Sequence, residues 1–195
     1  MGGCFVISVL IPNKHEENVR EFVDKIAETL PIAQIIVAND LKSKGKGWAL
    51  REALKEAIGD KIVFLDADGD IKPGMLYRLL PFLDVYDIVV GSKILRNVPL
   101  HRKIITWLSR IYVRLVFGLS IDTQTGIKIF KREVLTDWET NGFGFAIEIL
   151  WKAKRKGYSM IEIPVEANIK AKMSLWIVVR TFFETIRILF SWEKY

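Results

Sequence analysis

Short apolar runs alternate along the chain with longer segments in which apolar residues recur every three or four positions. The runs at 5–11, 34–38, 61–65 and 86–90 are rich in β-branched and other apolar residues and predict strands. Between the first two, Val19, Phe22, Val23, Ile26, Ala27 and Leu30 share one face of an amphipathic helix over 16–30, which Pro31 closes. Segments 48–58 and 73–83 predict further helices, the latter with a proline near its start. This β-α-β-α-β-α-β order implies a parallel sheet with helices on both faces. Beyond Gly91 the pattern changes to a long helical segment over 100–117, a short strand at 127–130, a helix over 146–156, a strand over 158–165 and a last helix over 175–192. No internal repeat, low-complexity tract or linker divides the 195 residues, a length that favours one domain.

One strand ends in an unexpected way. In "IVFLDADGDIKPG" four apolar residues run straight into Asp66, Asp68 and Asp70. Ligands of parallel α/β sheets bind at the carboxyl ends of strands. Carboxylates two positions apart in an extended segment point the same way and can share one hard divalent cation, which removes their repulsion. Mg²⁺ or Mn²⁺ binds through few protein carboxylates and fills its remaining positions with water and substrate phosphate. Asp66 and Asp68 are therefore candidate metal ligands for a diphosphate site; the plainer alternative is a solvated turn. Asp70 is either a third ligand or the N-cap of the helix that follows. In "KGKG", Lys46 between two glycines is a candidate partner for phosphate or, alternatively, a solvated turn residue.

Charge narrows the partners. The net charge is +6 and the pI about 9.4, which suits an anionic partner such as nucleotide phosphates or an anionic lipid surface. Nucleic acid is disfavoured, because the basic residues are interleaved with large aliphatics and no nucleic-acid motif is present. The single cysteine, Cys4, excludes an internal disulfide framework and fits a reducing compartment. The opening "MGGCFVISVLIP" lacks a basic start and a cleavage pattern and reads as a strand rather than a secretion signal.

Ordered along residues 5–175, the strings "SVLIPNKHEEN", "IIVAND", "KGKGWALREALKEAIGDKIVFLDADGDIKP", "IVVGSK", "DTQTGIKIFKREVL" and "GFGFAIEILWKAKRKGYSMIEIPV" resemble family 2 glycosyltransferases, and among them the dolichol-phosphate mannose synthase-like, polyprenol-phosphate group. The resemblance implies a GT-A fold, a Rossmann-like, mostly parallel α/β sheet with helices on both faces, over residues 1–170. It implies transfer of a hexose from a GDP- or UDP-sugar to a polyprenol or dolichol phosphate, with Mg²⁺ or Mn²⁺ as cofactor and inversion at the anomeric carbon. Pro12, Glu16, Asp40 and Asp66 would then face the nucleotide, with Asp40 holding the base, and Lys46, read from its own setting between glycines, would join them. Asp66, Asp68 and Asp70 would surround the metal. Lys93, Arg102, Gln124, Thr125 and Lys128 would face the acceptor. Asp68, Arg102, Lys128 and Glu148 would act in catalysis. A lipid phosphate is already anionic near neutral pH and needs no general base; a hydroxyl acceptor would need one, for which Glu148 and Asp122 are candidates. The sequence departs from the family after Asp40, where "LKSKGKGWAL" follows at once in place of a long loop.

Two segments have the character of interfacial helices. Over 100–117, Arg102, Lys103, Thr106, Arg110 and Arg114 form a polar stripe amid Ile, Leu, Trp, Tyr and Phe. Over 175–192 the stripe is Arg180, Glu184 and Arg187, flanked by Trp176, Phe182, Phe183, Phe190 and Trp192. Basic stripes beside wide aromatic faces fit helices lying in the headgroup layer, and no segment is long and apolar enough to span a bilayer. The expectation is a peripheral protein on the cytoplasmic face of a membrane, with 171–195 as a membrane-surface helix and a separate membrane subunit as a further partner. The alternatives are the same fold acting on a soluble acceptor and a non-catalytic relative that binds nucleotide or membrane.

Overall fold

The computed structural model describes residues 6–14, 18–94, 99–135, 138–167 and 175–191. Strands form at β1 (Ile7–Asn13), β2 (Gln34–Asn39), β3 (Lys61–Leu65), β4 (Ile88–Lys93), β5 (Ile127–Lys131) and β6 (Met160–Val165). Helices form at α1 (Val19–Thr29), α2 (Lys46–Glu56), α3 (Met75–Leu79), α4 (Leu100–Phe117), α5 (Phe145–Arg155) and α6 (Leu175–Ser191). The strands make one sheet in the order β2-β1-β3-β5-β4-β6.

The four inner strands are apolar almost throughout because both faces of the sheet are covered. Alternate residues enter different cores. Leu10, Ile62, Phe64 and Phe130 join Trp138, Phe145 and Leu150 on the face covered by α2, α4, α5 and α6. Val9, Ile11, Val63 and Leu65 join Phe22 and Ile26 of α1 and Leu76 and Leu79 of α3 on the other. Phe64 centres the first core, with its ring 5.1 Å from Phe130 and 6.2 Å from both Trp138 and Phe145.

Two expectations change. The helix expected over 73–83 is α only over Met75–Leu79 and continues as a 3-10 turn over Leu80–Asp84. Pro81 has no N–H for the next α-helical bond, so the chain tightens instead. The sheet is parallel except for β5, which runs antiparallel between β3 and β4. The cause lies in α4, which stays at the carboxyl end of the sheet: Arg110 donates to Ser92 Oγ at the end of β4 and to Asp122 just before β5. The chain never returns to the opposite end, so β5 starts where β3 stops. The Asp66 amide donates to the carbonyl of Gly126 across this junction (2.9 Å). The segment "DTQTG" is thereby set beside "DADGD".

Candidate active site

The carboxylates at the end of β3 lie among three lysines from different elements. Lys46, on the first residue of α2, is 2.5 Å from Asp66 Oδ1. Lys93, on the last residue of β4, is 2.9 Å from Asp70 Oδ2. Lys128 projects from β5 and is buried, its Nζ donating to the carbonyl of Thr125. Burial pushes its amine down to about 8, against the pull of Asp122 and with a further push from Lys46.

Asp68 makes no ion pair among the described residues. Its tip is exposed, but partial desolvation in the cleft and the charges of Asp66 and Asp70 push its carboxyl up, against the Asp70 amide that donates to Oδ1. A carboxylate crowded by two like charges, with the Lys93 ammonium acting on it without pairing directly, suits a cation. No three acidic, His or Cys side chains converge among the described residues. The oxygens of Asp66 and Asp68 form a donor pair of the kind that Mg²⁺ or Mn²⁺ takes, leaving the remaining positions to phosphate and water. Asp70 is buried against Lys93, and α3 starts after Gly74 with no side-chain cap, so Asp70 is not the helix cap. Gly126 leaves room for Asp66: a Cβ there would lie 2.6 Å from Asp66 Oδ2.

Beside this cluster opens a cavity of about 480 Å³. Lys46, Arg102 and Lys128 line its polar part with Gln124 and Thr125. Thr125 Oγ1 is buried there without a hydrogen-bond partner among the described residues. Leu108 and Tyr112 of α4, Ile177 and Phe182 of α6, and Phe143 line the apolar part. Arg102, Gln124, Thr125 and Lys128, which the resemblance assigns to an acceptor, line this cavity together with Lys46, which was expected to face the nucleotide instead, whereas Lys93 is turned to Asp70.

Three other candidates serve the framework. Asp40 spends both carboxylate oxygens on the amides of Lys44 and Gly45, each at 2.8 Å, and so ties off the shortened turn before α2. Glu148 is buried and accepts from the amides of Glu139 and Thr140 and from Lys152, all within 2.9 Å. Its place is a smaller cavity of about 330 Å³, away from Lys128. Asp122 braces its own turn, accepting from the Gln124 and Thr125 amides and Arg110, which leaves it poorly placed as a base. Pro12 lies one residue before the end of β1, paired with Ala38, and Glu16 lies outside the described residues. Sequence reasoning missed Phe143 and the two threonines of α6, Thr181 and Thr185, that line the large cavity. The signal for Phe143 was "GFGF", an aromatic between two glycines.

These features define an α/β glycosyltransferase of the GT-A architecture. Residues 9–145 match the glycosyl transferase family 2 model, and the chain belongs to that family. It is 25% identical to an undecaprenyl-phosphate mannosyltransferase of Micrococcus luteus, covering 82% of each chain. It is 28% identical to a polyprenol monophosphomannose synthase of Mycolicibacterium smegmatis, covering 80% of this chain and 75% of that one. Among solved structures it resembles glucosyl-3-phosphoglycerate synthase of Mycobacterium tuberculosis, held with Mn²⁺ and UDP-glucose. That likeness has a TM-score of 0.77 at 21% identity and covers 96% of this chain and 79% of the other.

Proposed function

We propose that the protein transfers a hexose from a nucleoside-diphosphate sugar to a polyprenol phosphate, with the acceptor entering from a membrane surface. The large cavity carries this reading. Its cationic part, from Lys46, Arg102 and Lys128, suits a phosphate, and its apolar walls from α4 and α6 suit the first isoprene units of a tail. The named activities of the Micrococcus and Mycolicibacterium relatives support it.

Asp66 and Asp68 would hold Mg²⁺ or Mn²⁺, which when bound stabilises negative charge on the diphosphate. Lys46 adds a second cation on the same side and follows the charge as it moves to the leaving group. Arg102 and Lys128 hold the acceptor phosphate so that one of its anionic oxygens faces the anomeric carbon. The new bond forms from that oxygen to carbon as the bond from carbon to the diphosphate oxygen breaks and its electron pair leaves with the diphosphate. One displacement inverts the anomeric centre. The acceptor oxygen carries no proton, so no general base is required, consistent with the engaged state of Glu148 and Asp122.

The outer faces of α4 and α6 support the membrane part. Trp107 and Leu115 on α4, and Trp176, Phe183 and Phe190 on α6, are each more than 60% exposed. None of the described helices is long and apolar enough to cross a membrane. Such exposed faces with Lys103, Arg114 and Arg180 fit the headgroup layer on the cytoplasmic side. The test is transfer of labelled mannose or glucose from GDP- or UDP-sugars to a short polyprenyl phosphate in vesicles, with 3-phosphoglycerate as a soluble competitor. Transfer only to the soluble acid would overturn the lipid assignment; absence of transfer from every donor, with no donor binding, would overturn the activity.

A further inference from the structure

The loop over 138–144, whose Glu139 and Thr140 amides are held by Glu148, is also gripped from two further sides. On one side stands the start of α2. The Trp48 amide, in the first turn of α2 and without an acceptor within the helix, donates to the Asn141 carbonyl (3.1 Å). Arg51 donates to the Trp138 carbonyl and to Asn141 Oδ1, and Trp138 Nε1 donates to the Gly47 carbonyl. The approach is so close that a Cβ on Gly45 would lie 2.4 Å from the Asn141 carbonyl oxygen, and one on Gly47 2.3 Å from that of Thr140. Lys46 sits between these two glycines.

On the other side stands α6. Glu184 is 15% exposed and its Oε2 accepts from the Gly144 amide at 2.9 Å, while Arg180 donates to Oε1. The carboxylate fills the notch left by two glycines: a Cβ on Gly142 would lie 1.9 Å from Oε1, and one on Gly144 3.1 Å from the Glu184 Cβ. α6 is itself anchored by buried Thr185, which hydrogen-bonds Tyr112 of α4, and by buried Ile188. The loop between the two grips carries Phe143, whose ring lies 5.9 Å from the Lys46 Nζ.

We propose that Glu184 is a positioning residue for the donor site: through the loop over 138–144 it seats the start of α2, and with it Lys46 against Asp66. The role of Lys46 rests on the function proposed above; the seating of its segment does not.

Amide hydrogen exchange on the full chain reads the seating without any ligand. Glu184→Ala speeds exchange of the Trp48 amide by about tenfold, the loss of one supporting hydrogen bond, and leaves the β3 amides unchanged. Glu184→Gln, whose side-chain carbonyl still accepts from Gly144, keeps the protection. Unchanged Trp48 exchange in Glu184→Ala, or equal acceleration in β3, overturns the proposal. Binding of GDP and UDP with Mn²⁺ reads the consequence. Glu184→Ala weakens the bound nucleotide by about tenfold when Lys46 is present and less than about twofold in a Lys46→Met background. Equal losses in the two backgrounds refute action through Lys46. If the unaltered chain binds neither nucleotide, the proposed function falls, and the exchange result still decides the seating.

Discussion

Lys128 offers the sharpest test of the acceptor site. Its ammonium is buried, and burial pushes its pKa from 10.5 down to about 8. At about 1.4 kcal/mol per unit, the folded protein holds this proton about 3 kcal/mol less tightly than the unfolded chain. In the unfolded chain the amine stays charged to about pH 10.5. Between about pH 8 and 10.5 the unfolded chain therefore binds one more proton than the folded one, and this group's contribution to stability rises with pH across that window. Activity moves the other way. A neutral amine no longer attracts the acceptor phosphate, so kcat/KM for the lipid falls above about pH 8 with a slope of one, as expected for a group titrating in the free enzyme. Lys128→Met removes both effects. The checks are kcat/KM for acceptor from pH 6 to 10, and urea unfolding of both proteins over the same range. The unaltered protein should gain about 2 kcal/mol on Lys128→Met between pH 8 and 10. A flat rate profile to pH 10 in the unaltered enzyme, or an identical alkaline limb in Lys128→Met, refutes the assignment of Lys128 to the acceptor.

Asp68→Asn should weaken Mn²⁺ binding, followed by electron paramagnetic resonance in the presence of nucleoside diphosphate, by at least about tenfold, and leave the melting temperature unchanged or raised because it relieves crowding by Asp66 and Asp70. Gly126→Ala should displace the Asp66 carboxylate it would touch at 2.6 Å; the expected result is loss of donor binding by calorimetry, and full binding would contradict the packing at this junction. Glu148→Ala should cost about 3 kcal/mol of stability by urea unfolding, since it strips the Glu139 and Thr140 amides of their acceptor, and any loss of kcat should be matched by a loss of nucleotide binding, because these amides belong to the loop beside Lys46. A collapse of kcat with stability and nucleotide binding both intact would restore Glu148 as a catalytic group. Trp107→Ser combined with Phe183→Ser should weaken partition to anionic vesicles at least about tenfold in sedimentation assays, with transfer between soluble donor and short-chain acceptor in detergent retained.

Much of the fold was legible because its causes are local. A run of four apolar residues bounded by turns has few alternatives to a buried strand, and β3 lies where "IVFL" places it. The end of that run marked Asp66 and Asp68 as the edge of a site, since no buried strand ends in carboxylates without a reason. The cationic residues Arg102 and Lys128, singled out from motifs far apart in the chain, line one cavity. The stripe on α6 was legible as a pattern but not as an orientation. Arg180 and Arg187 are exposed, yet Glu184 between them is turned to the loop, and Trp176, Phe183 and Phe190 face outward.

The sequence by itself determined where the chain is extended or helical, which residues are apolar enough to be covered, and which carboxylates end a strand. Those properties follow from each residue's neighbours within a turn or two. Only the tertiary structure decided that β5 runs backwards between β3 and β4 and so lays Gly126 against Asp66. It also decided which charges meet: Lys46 with Asp66, Lys93 with Asp70, and Glu148 with Lys152 and the amides of a loop. A side chain's charge is written in the sequence, but its function depends on its counterion and its exposure to water. Both are set by segments that come together only when the sheet has closed over its two cores.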